Sequence, residues 1–372
     1  MTCEYFGICG SCTLFDLTYD EQKELKLEHT KSLFFDLNVQ DILWFKSPTT
    51  HYRTRAEFSI WHDKDNMSYA MNRLDKDGVV KIKNCAKVSQ KIYDLMPKLL
   101  NFIQNDTNLR FKLFGVELLS TRREILVTLL YHKKLDSIWD ESAKKIQNEF
   151  NVKVIGRSKG IKRVISEDFL HERLHVKTKD IDYKFFDTGF VQPNTNVNEQ
   201  MISFVIDEVL KTKRDDLLEL YCGHGNFTIP LSFYFKKVFA TEISKNSIKA
   251  ASENILINEV ENLTFARLSA EEFAEAFSAV REFKRLKNVD LQSYSFSHIL
   301  VDPPRAGLDE TCLKLAKTFK NIIYISCSQE SLKRDLCELT KSHEIVNFAL
   351  FDQFPYTLHV ESGVILRQKV YK

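Results

Sequence analysis

The chain has 372 residues, of which 44% are hydrophobic, enough for two domains with separate cores. No apolar run approaches the roughly 20 residues of a membrane span, and the N-terminus, MTCEYFGICG, lacks the basic and apolar segments of a secretion signal. These features argue against a membrane or secreted protein and predict a cytoplasmic one.

The net charge is only +2, but it is unevenly distributed. Residues 81–180 carry 21 Lys and Arg against 12 Asp and Glu, whereas residues 1–80 and 181–372 are mildly acidic. Such a local excess is most often a solvated surface. It favours a nucleic-acid-binding face only if the rest of the chain carries nucleic-acid chemistry.

The first feature along the chain is a group of cysteines. Cys3, Cys9 and Cys12 have the spacing Cys-x5-Cys-x2-Cys, and Cys85 is a further ligand if the fold brings it back. Disulfides are rare in a reducing cytosol, so the spacing favours metal ligation. Four thiolates suit either zinc or a [4Fe-4S] cluster, and the spacing does not decide between them.

Residues 1–190 are predicted to form a mixed α+β region. YDEQKELKLEHTKSLFFDL, from Tyr19, has leucines and charges at the spacing of an amphipathic helix. Strands are predicted at YRTRAEFSIWH, FGVELLST, EILVTLLYH and NVKVIGRS, with a helix between the last two. We expect these strands to pair antiparallel.

Residues 191–372 show a different pattern, in which buried strands alternate with helices. The helix NEQMISFVIDEVLK is followed by the strand and glycine turn of DLLELYCGHGN, the strand KKVFATEIS, the helix NSIKAASENILIN, and the strands ahead of VDPPRAG and at NIIYISC. This alternation predicts a Rossmann-like, doubly wound parallel sheet.

A parallel sheet of this kind binds its ligand at the carboxyl ends of the strands. Gly223 and Gly225 allow a tight turn there, and Glu242 ends the next strand, where an acid can accept hydrogen bonds from ribose hydroxyls. A nicotinamide cofactor would favour a third glycine where Thr228 stands. S-adenosylmethionine has no phosphate, and Asp302 in VDPPRAG fits the methyltransferases that bind it.

Cys327, just after the strand of NIIYISC, is either a core residue or a nucleophile. A thiolate that adds to carbon 6 of a pyrimidine makes carbon 5 nucleophilic enough to accept a methyl group, and a separate base then removes the carbon 5 proton. Arg305 is expected to favour the thiolate.

Several stretches together resemble the bacterial RNA uracil-5-methyltransferase family. They include SPTTHYRTRAEFSIWHD, FVQPNTNVNEQM, DLLELYCGHGNF, ILVDPPRAGLD and YISC, and nearly the whole chain beyond residue 46 is covered. VREFKRL and LFDQFPYT are specific to the branch that acts on transfer RNA. The resemblance implies a Rossmann-like methyltransferase domain behind an N-terminal RNA-binding region.

The resemblance also assigns roles to individual residues. It implies Cys327 as the nucleophile and Glu361 as the proton acceptor. Contacts to S-adenosyl-L-methionine are implied for Gln192, Tyr221, Asn226, Glu242 and Asp302. The implied reaction is 5-methyluridine formation at position 54 in the T arm of tRNA and, for some members, in tmRNA. Residues expected to grip that loop are Phe114, His132, Arg53 and Arg55.

The chain departs from the transfer-RNA branch in three places. Ser328 and Ser362 stand where Asn and Cys are usual. The cysteines Cys3, Cys9, Cys12 and Cys85 resemble the [4Fe-4S] ligands of the members that act on ribosomal RNA. A 23S ribosomal RNA substrate and a non-catalytic RNA-binding protein therefore remain as alternatives, and the sequence implies no obligate protein partner.

Overall fold

The structure is a computed structural model, which describes residues 2–64 and 66–370. Among the described residues up to 190, the α-helices are α1 (Tyr19–Leu33), α2 (Gln90–Gln104), α3 (Thr107–Arg110) and α4 (Ser137–Phe150). Its strands are β1 (Ile42–Phe45), β2 (Arg55–Asp63), β3 (Asn66–Asn72), β4 (Val79–Ile82), β5 (Leu113–Ser120), β6 (Ile125–Tyr131), β7 (Lys153–Ser158), β8 (Ile161–Val164), β9 (Phe169–Val176) and β10 (Lys179–Phe186).

Strands and helices alternate after residue 190. The helices are α5 (Thr195–Leu210), α6 (Thr228–Ser232), α7 (Lys245–Ile257), α8 (Ala270–Phe277), α9 (Glu310–Ala316) and α10 (Gln329–Leu339). The strands are β11 (Asp216–Leu220), β12 (Lys237–Thr241), β13 (Leu263–Ala266), β14 (Phe296–Val301), β15 (Asn321–Ser326), β16 (His343–Phe351) and β17 (Glu361–Gln368). No helix among the described residues is long and apolar enough to cross a membrane.

The first sheet has seven strands in the order β4-β3-β2-β5-β6-β7-β8. Its neighbours pair antiparallel, as expected, except that β6 and β7 are parallel. The exception arises because α4 connects these two strands and returns the chain to the same end of the sheet. β9 and β10 form a separate antiparallel hairpin.

The second sheet has eight strands in the order β1-β16-β17-β15-β14-β11-β12-β13. Its strands pair parallel except for β17, which runs antiparallel to both β15 and β16. Two large apolar clusters, one including Leu217 and the other Leu218, form its core. The predicted Rossmann-like fold class is confirmed.

One strand of the second sheet comes from the N-terminal part of the chain. β1 pairs parallel with β16, with Ile42 opposite Phe348. A division into domains of residues 1–190 and 191–372 stays a prediction. β1 belongs to the first of these ranges but forms part of the sheet of the second.

Helix α1 is present where the sequence predicts it, but its fully buried residues are polar. Thr18 caps the helix in a reciprocal arrangement with Glu21. The buried residues of the helix are Gln22, Lys26 and Thr30, whereas Leu25 is 37% exposed. Leu27 and Leu33 are partly buried against the second apolar cluster, so the helix is amphipathic as predicted, but polar residues occupy its most deeply buried positions.

Candidate active site

The predicted site residues meet at one edge of the second sheet. Tyr221, Glu242, Asp302 and Cys327 each directly follow one of the parallel strands β11, β12, β14 and β15. Glu361 is the first residue of β17, and because β17 is antiparallel its beginning lies where the other strands end. The topology thus brings residues that are far apart in sequence to the carboxyl edge of the sheet.

A cavity of about 530 Å³ lies at this edge, within the size range of small-molecule sites. It is lined by all seven residues predicted to bind the cofactor or to react: Gln192, Tyr221, Asn226, Glu242, Asp302, Cys327 and Glu361. The structure therefore brings the whole predicted set together.

The glycine turn after β11 forms one wall of the cavity. Tyr221, Gly223 and Gly225 all have positive φ, with values of 62°, 56° and 92°, and glycine adopts this region without strain. The amide of Gly223 donates a 3.1 Å hydrogen bond to Oε2 of Glu242. The turn and the acid are thereby fixed against each other.

Hydrogen bonds between buried amide side chains fix two further residues of the lining, Asn226 and Gln192. The side chains of Asn226 and Asn198 exchange hydrogen bonds of 2.8 and 2.9 Å. Gln353 donates from Nε2 to Oε1 of Gln192 at 3.3 Å. A held amide presents its remaining polar atoms in one direction, which suits recognition of a polar cofactor.

Glu361 and Asp302 lie in surroundings that disfavour negative charge. Burial raises the pKa of Glu361 from 4.5 to about 8; Asp302 adds to this effect and Arg305 opposes it. Burial also raises the pKa of Asp302 to about 7.

The Cys327 thiol is perturbed in the same direction. Burial raises its pKa, the carboxyls of Glu361 and Asp302 raise it further, and Arg305 lowers it. The expectation that Arg305 would favour the thiolate holds for its own effect, but burial and the two carboxyls outweigh it.

A second cavity, of about 520 Å³, meets the first at Phe190, Arg305, Cys327 and Glu361. Its other wall includes residues of the N-terminal region: Arg53, Glu57, Phe58, Met71, Cys85 and Lys87. Cys327 and Glu361 therefore line both cavities.

A groove with basic and aromatic side chains lies on the first sheet. The rings of Phe114 and His132 stack with centroids 4.0 Å apart, and Lys133, Lys134 and Arg157 line the same groove. We call this the basic groove. Aromatic faces beside cationic groups are the combination that binds unstacked bases and phosphates.

The two arginines predicted to grip RNA have different surroundings. Arg53 lines the second cavity, with its guanidinium 5.8 Å from the ring centre of Phe354. Arg55 donates to the carbonyl oxygens of Gly189 and Asp187 at 2.6 and 2.8 Å. Arg55 therefore holds the loop ahead of Gln192.

The four early cysteines lie near one another without forming a ligand set. Within residues 2–64 and 66–370, no three or more Cys, His, Asp or Glu side chains are grouped so that they could hold a metal ion. Burial raises the pKa of Cys12 to about 11; Lys87 lowers it, and the other three thiols raise it further. The thiols act on one another electrostatically, but the described geometry does not support the predicted cluster.

Phe190 and Glu219 are among the lining residues that were missed from the sequence. Phe190 lines both cavities although it is 71% exposed. Glu219 on β11 lines the first cavity, and burial raises its pKa well above the ordinary value. An acid inside the apolar run DLLEL was the available signal for Glu219.

Comparison with known proteins gives a consistent family. The family model described as tRNA (Uracil-5-)-methyltransferase matches residues 18–369. The chain is 52% identical to the tRNA/tmRNA (uracil-C(5))-methyltransferase of Aliarcobacter butzleri, with 99% of each chain covered. It is 45% identical to the protein of the same name from Acinetobacter baylyi, with 94% of this chain and 98% of the relative covered.

A solved structure shares the fold. The crystal structure of Pyrococcus abyssi tRNA (uracil-54, C5)-methyltransferase in complex with S-adenosyl-L-homocysteine matches with a TM-score of 0.74 at 22% sequence identity. The match covers 96% of this chain and 85% of that one.

Proposed function

The chain belongs to the tRNA (uracil-5-)-methyltransferase family, and we propose that it methylates carbon 5 of uridine in tRNA with S-adenosylmethionine as the donor. The observation that carries this proposal is the single cavity in which a thiol and a carboxyl meet the predicted cofactor residues. Uridine 54 is the proposed target, and tmRNA is a second proposed substrate, because relatives are named for both RNAs.

The cofactor would bind in the first cavity. Glu242, held by the glycine turn, would accept hydrogen bonds from the ribose hydroxyls, while Gln192, Tyr221, Asn226 and Asp302 would contact the rest of the molecule. Bound there, S-adenosylmethionine supplies an electrophilic methyl group. Its positive charge would also favour ionisation of the nearby thiol and carboxyls, whose pKa values are raised in the protein alone.

Cys327 and Glu361 would divide the chemistry between them. The Cys327 thiolate would add to carbon 6 of uracil. The electrons displaced to carbon 5 would form a new bond to the methyl carbon, while the bond between that carbon and the sulfonium sulfur of the donor breaks. Glu361 then removes the carbon 5 proton, and the electrons of that bond expel the thiolate. Because burial raises the pKa of Glu361, its carboxylate, once ionised beside the cationic donor, is a stronger base than an ordinary glutamate and is suited to take the carbon 5 proton.

The N-terminal region would hold the RNA. The target base is buried in the folded T loop, so it must leave its stack before it reaches Cys327. The second cavity is open to such an extruded base, and the basic groove offers a stacked ring pair and cations for the surrounding loop. Since tRNA is the proposed substrate, we propose that the protein acts in the cytoplasm.

Methyl transfer to a defined RNA tests the proposal. The full chain, S-adenosylmethionine and an unmodified tRNA transcript should yield 5-methyluridine, whereas a transcript with cytidine at position 54 should not. A 23S ribosomal RNA fragment is the arm that distinguishes the alternative substrate. Methylation of the ribosomal fragment alone would replace the tRNA assignment, and RNA binding without methyl transfer would indicate a non-catalytic protein.

We propose separately that Cys3, Cys9, Cys12 and Cys85 hold a [4Fe-4S] cluster with a structural role. The proposal rests on the Cys-x5-Cys-x2-Cys spacing and on the resemblance of these cysteines to those of the ribosomal-RNA members, whereas the described geometry groups no ligand set. Protein purified without oxygen should then be brown, with broad absorbance at roughly 400 nm that Cys12→Ser removes. Colourless protein with stoichiometric zinc would contradict the assignment.

A further inference from the structure

Helix α1 buries a row of polar side chains. Gln22, Lys26 and Thr30 are spaced four residues apart, so they share one face of the helix, and they are 1%, 2% and 0% exposed. A helix usually buries an apolar face, and buried polar groups need partners inside the protein. The partners of this row lie within residues 352–356, ahead of Glu361, and at Gln329, two residues after Cys327.

Lys26 holds the beginning of residues 352–360, the segment between β16 and Glu361. Its Nζ donates to Oδ1 of Asp352 at 2.7 Å and to the carbonyl oxygen of Phe354 at 3.3 Å. Both side chains of the ion pair are 1% exposed. Removing one partner of a buried pair leaves an uncompensated charge, so the pair holds Asp352, directly after β16, in a fixed place.

Gln22 holds the same segment four residues after Asp352, at Tyr356. Its side-chain oxygen accepts from the amide of Tyr356 at 2.7 Å, and its Nε2 donates to the carbonyl oxygen of Leu17 at 2.9 Å. The Tyr52 hydroxyl donates to the carbonyl oxygen of Pro355 at 3.0 Å. Backbone groups of residues 354–356 are therefore held directly from the N-terminal region, a few residues before Glu361.

Thr30 makes the matching contact beside Cys327. Its Oγ1 accepts from Nε2 of Gln329 at 2.7 Å and donates to the carbonyl oxygen of Lys26 at 2.8 Å. Gln329 is buried and begins α10, two residues after Cys327. One helix face thus contacts both segments that carry the reacting side chains.

We propose that α1 is a positioning element that sets Cys327 and Glu361 against each other. Lys26 and Gln22 hold the segment ahead of Glu361, and Thr30 holds the turn after Cys327. The inference rests on the proposed function. It makes these three residues positioning residues, since they act through the backbone and through buried partners.

Loss of Lys26 and loss of Thr30 should slow different steps of the reaction. Without Lys26, Glu361 loses its placement, so removal of the carbon 5 proton slows and methylated RNA stays attached to Cys327. Without Thr30, the thiol loses its placement, so addition to carbon 6 slows and no adduct accumulates. A misplacement of about 1 Å is enough to slow a step by roughly 100-fold.

The test uses the full chain with the variants Lys26→Met and Thr30→Val, and Lys31→Met as a control at an exposed position of the same helix. In single turnover on a T-arm RNA, Lys26→Met should release product roughly tenfold more slowly than the control and show an RNA–protein band on a denaturing gel. Thr30→Val should form the adduct more slowly and show no such band. The KM for RNA and the affinity for S-adenosylmethionine should stay near those of the control.

A double variant covers the case in which Lys26→Met does not fold. Lys26→Met with Asp352→Asn removes the uncompensated charge, and it should regain stability while still accumulating the adduct. The inference is overturned if the folded single or double variant releases product as fast as Lys31→Met. A wild-type chain that makes no 5-methyluridine would instead overturn the proposed function.

Discussion

Replacing Glu361 with glutamine should stabilise the protein in a pH-dependent way. Burial raises the pKa of this carboxyl from 4.5 to about 8. Below pH 4.5 the carboxyl is protonated in both the folded and the unfolded chain. Between pH 4.5 and about 8 only the unfolded chain releases the proton, so the free energy of unfolding falls by about 1.4 kcal/mol per pH unit.

The total loss in free energy of unfolding caused by Glu361 amounts to about 5 kcal/mol above pH 8. Glutamine resembles the protonated carboxyl and does not titrate, so Glu361→Gln escapes this loss. We expect its advantage in free energy of unfolding to be under about 1 kcal/mol at pH 5, about 3 kcal/mol at pH 7 and about 5 kcal/mol at pH 8.5.

Urea unfolding at these three pH values, followed by circular dichroism, measures the difference between the two proteins. The pH dependence of all other groups that Glu361 does not perturb cancels in the comparison. A difference that stays constant from pH 5 to 8.5 would refute the raised pKa. The same variant should transfer the methyl group but leave the RNA attached through Cys327, as a band that survives a denaturing gel.

Three further predictions concern other parts of the molecule. Cys327→Ala should abolish methylation in the tRNA assay while the free energy of unfolding changes by no more than about 1 kcal/mol, because the site is partly exposed. Charge reversal of both Lys133 and Lys134 should raise the KM for RNA about tenfold at roughly 150 mM salt and flatten its salt dependence, while reversal of the exposed Lys213 should do neither. Gly307→Ala should destabilise the protein by about 2 kcal/mol in urea unfolding, since φ is +76° and a Cβ would lie 2.6 Å from side-chain atoms of the neighbouring helix.

Strands β11, β12, β14 and β15 of the second sheet could be predicted from the sequence because their signals are local, whereas the places of β1, β13 and β16 and the antiparallel direction of β17 could not. Runs such as NIIYIS and DLLEL are short, apolar and separated by helices, and they form β15 and β11 with nearly the predicted bounds. The site followed from the same topology, since residues after parallel strands meet at one edge. Individual roles came from the resemblance, and those of Cys327 and Glu361 stay predictions.

Features that depend on distant partners could not be predicted. The polar face of α1 is buried because Asp352 and Gln329 lie against it, and nothing near Lys26 in the sequence indicates either residue. The raised pKa of the Cys327 thiol was missed for a similar reason. Burial is the largest cause of the raised pKa and the carboxyl of Glu361 from another strand adds to it, and both depend on the folded chain, whereas the sequence indicated only the cation Arg305.

The pairing of β1 with β16 has a consequence for synthesis of the chain. The two strands are separated by about 300 residues, so at roughly 5 to 20 residues per second the ribosome makes β16 about 15 to 60 s after β1. During that interval ILWF is an apolar segment without its strand partner. The sheet can be completed only when translation is nearly finished, so we expect the nascent chain to need protection of this segment from aggregation until the last strands emerge.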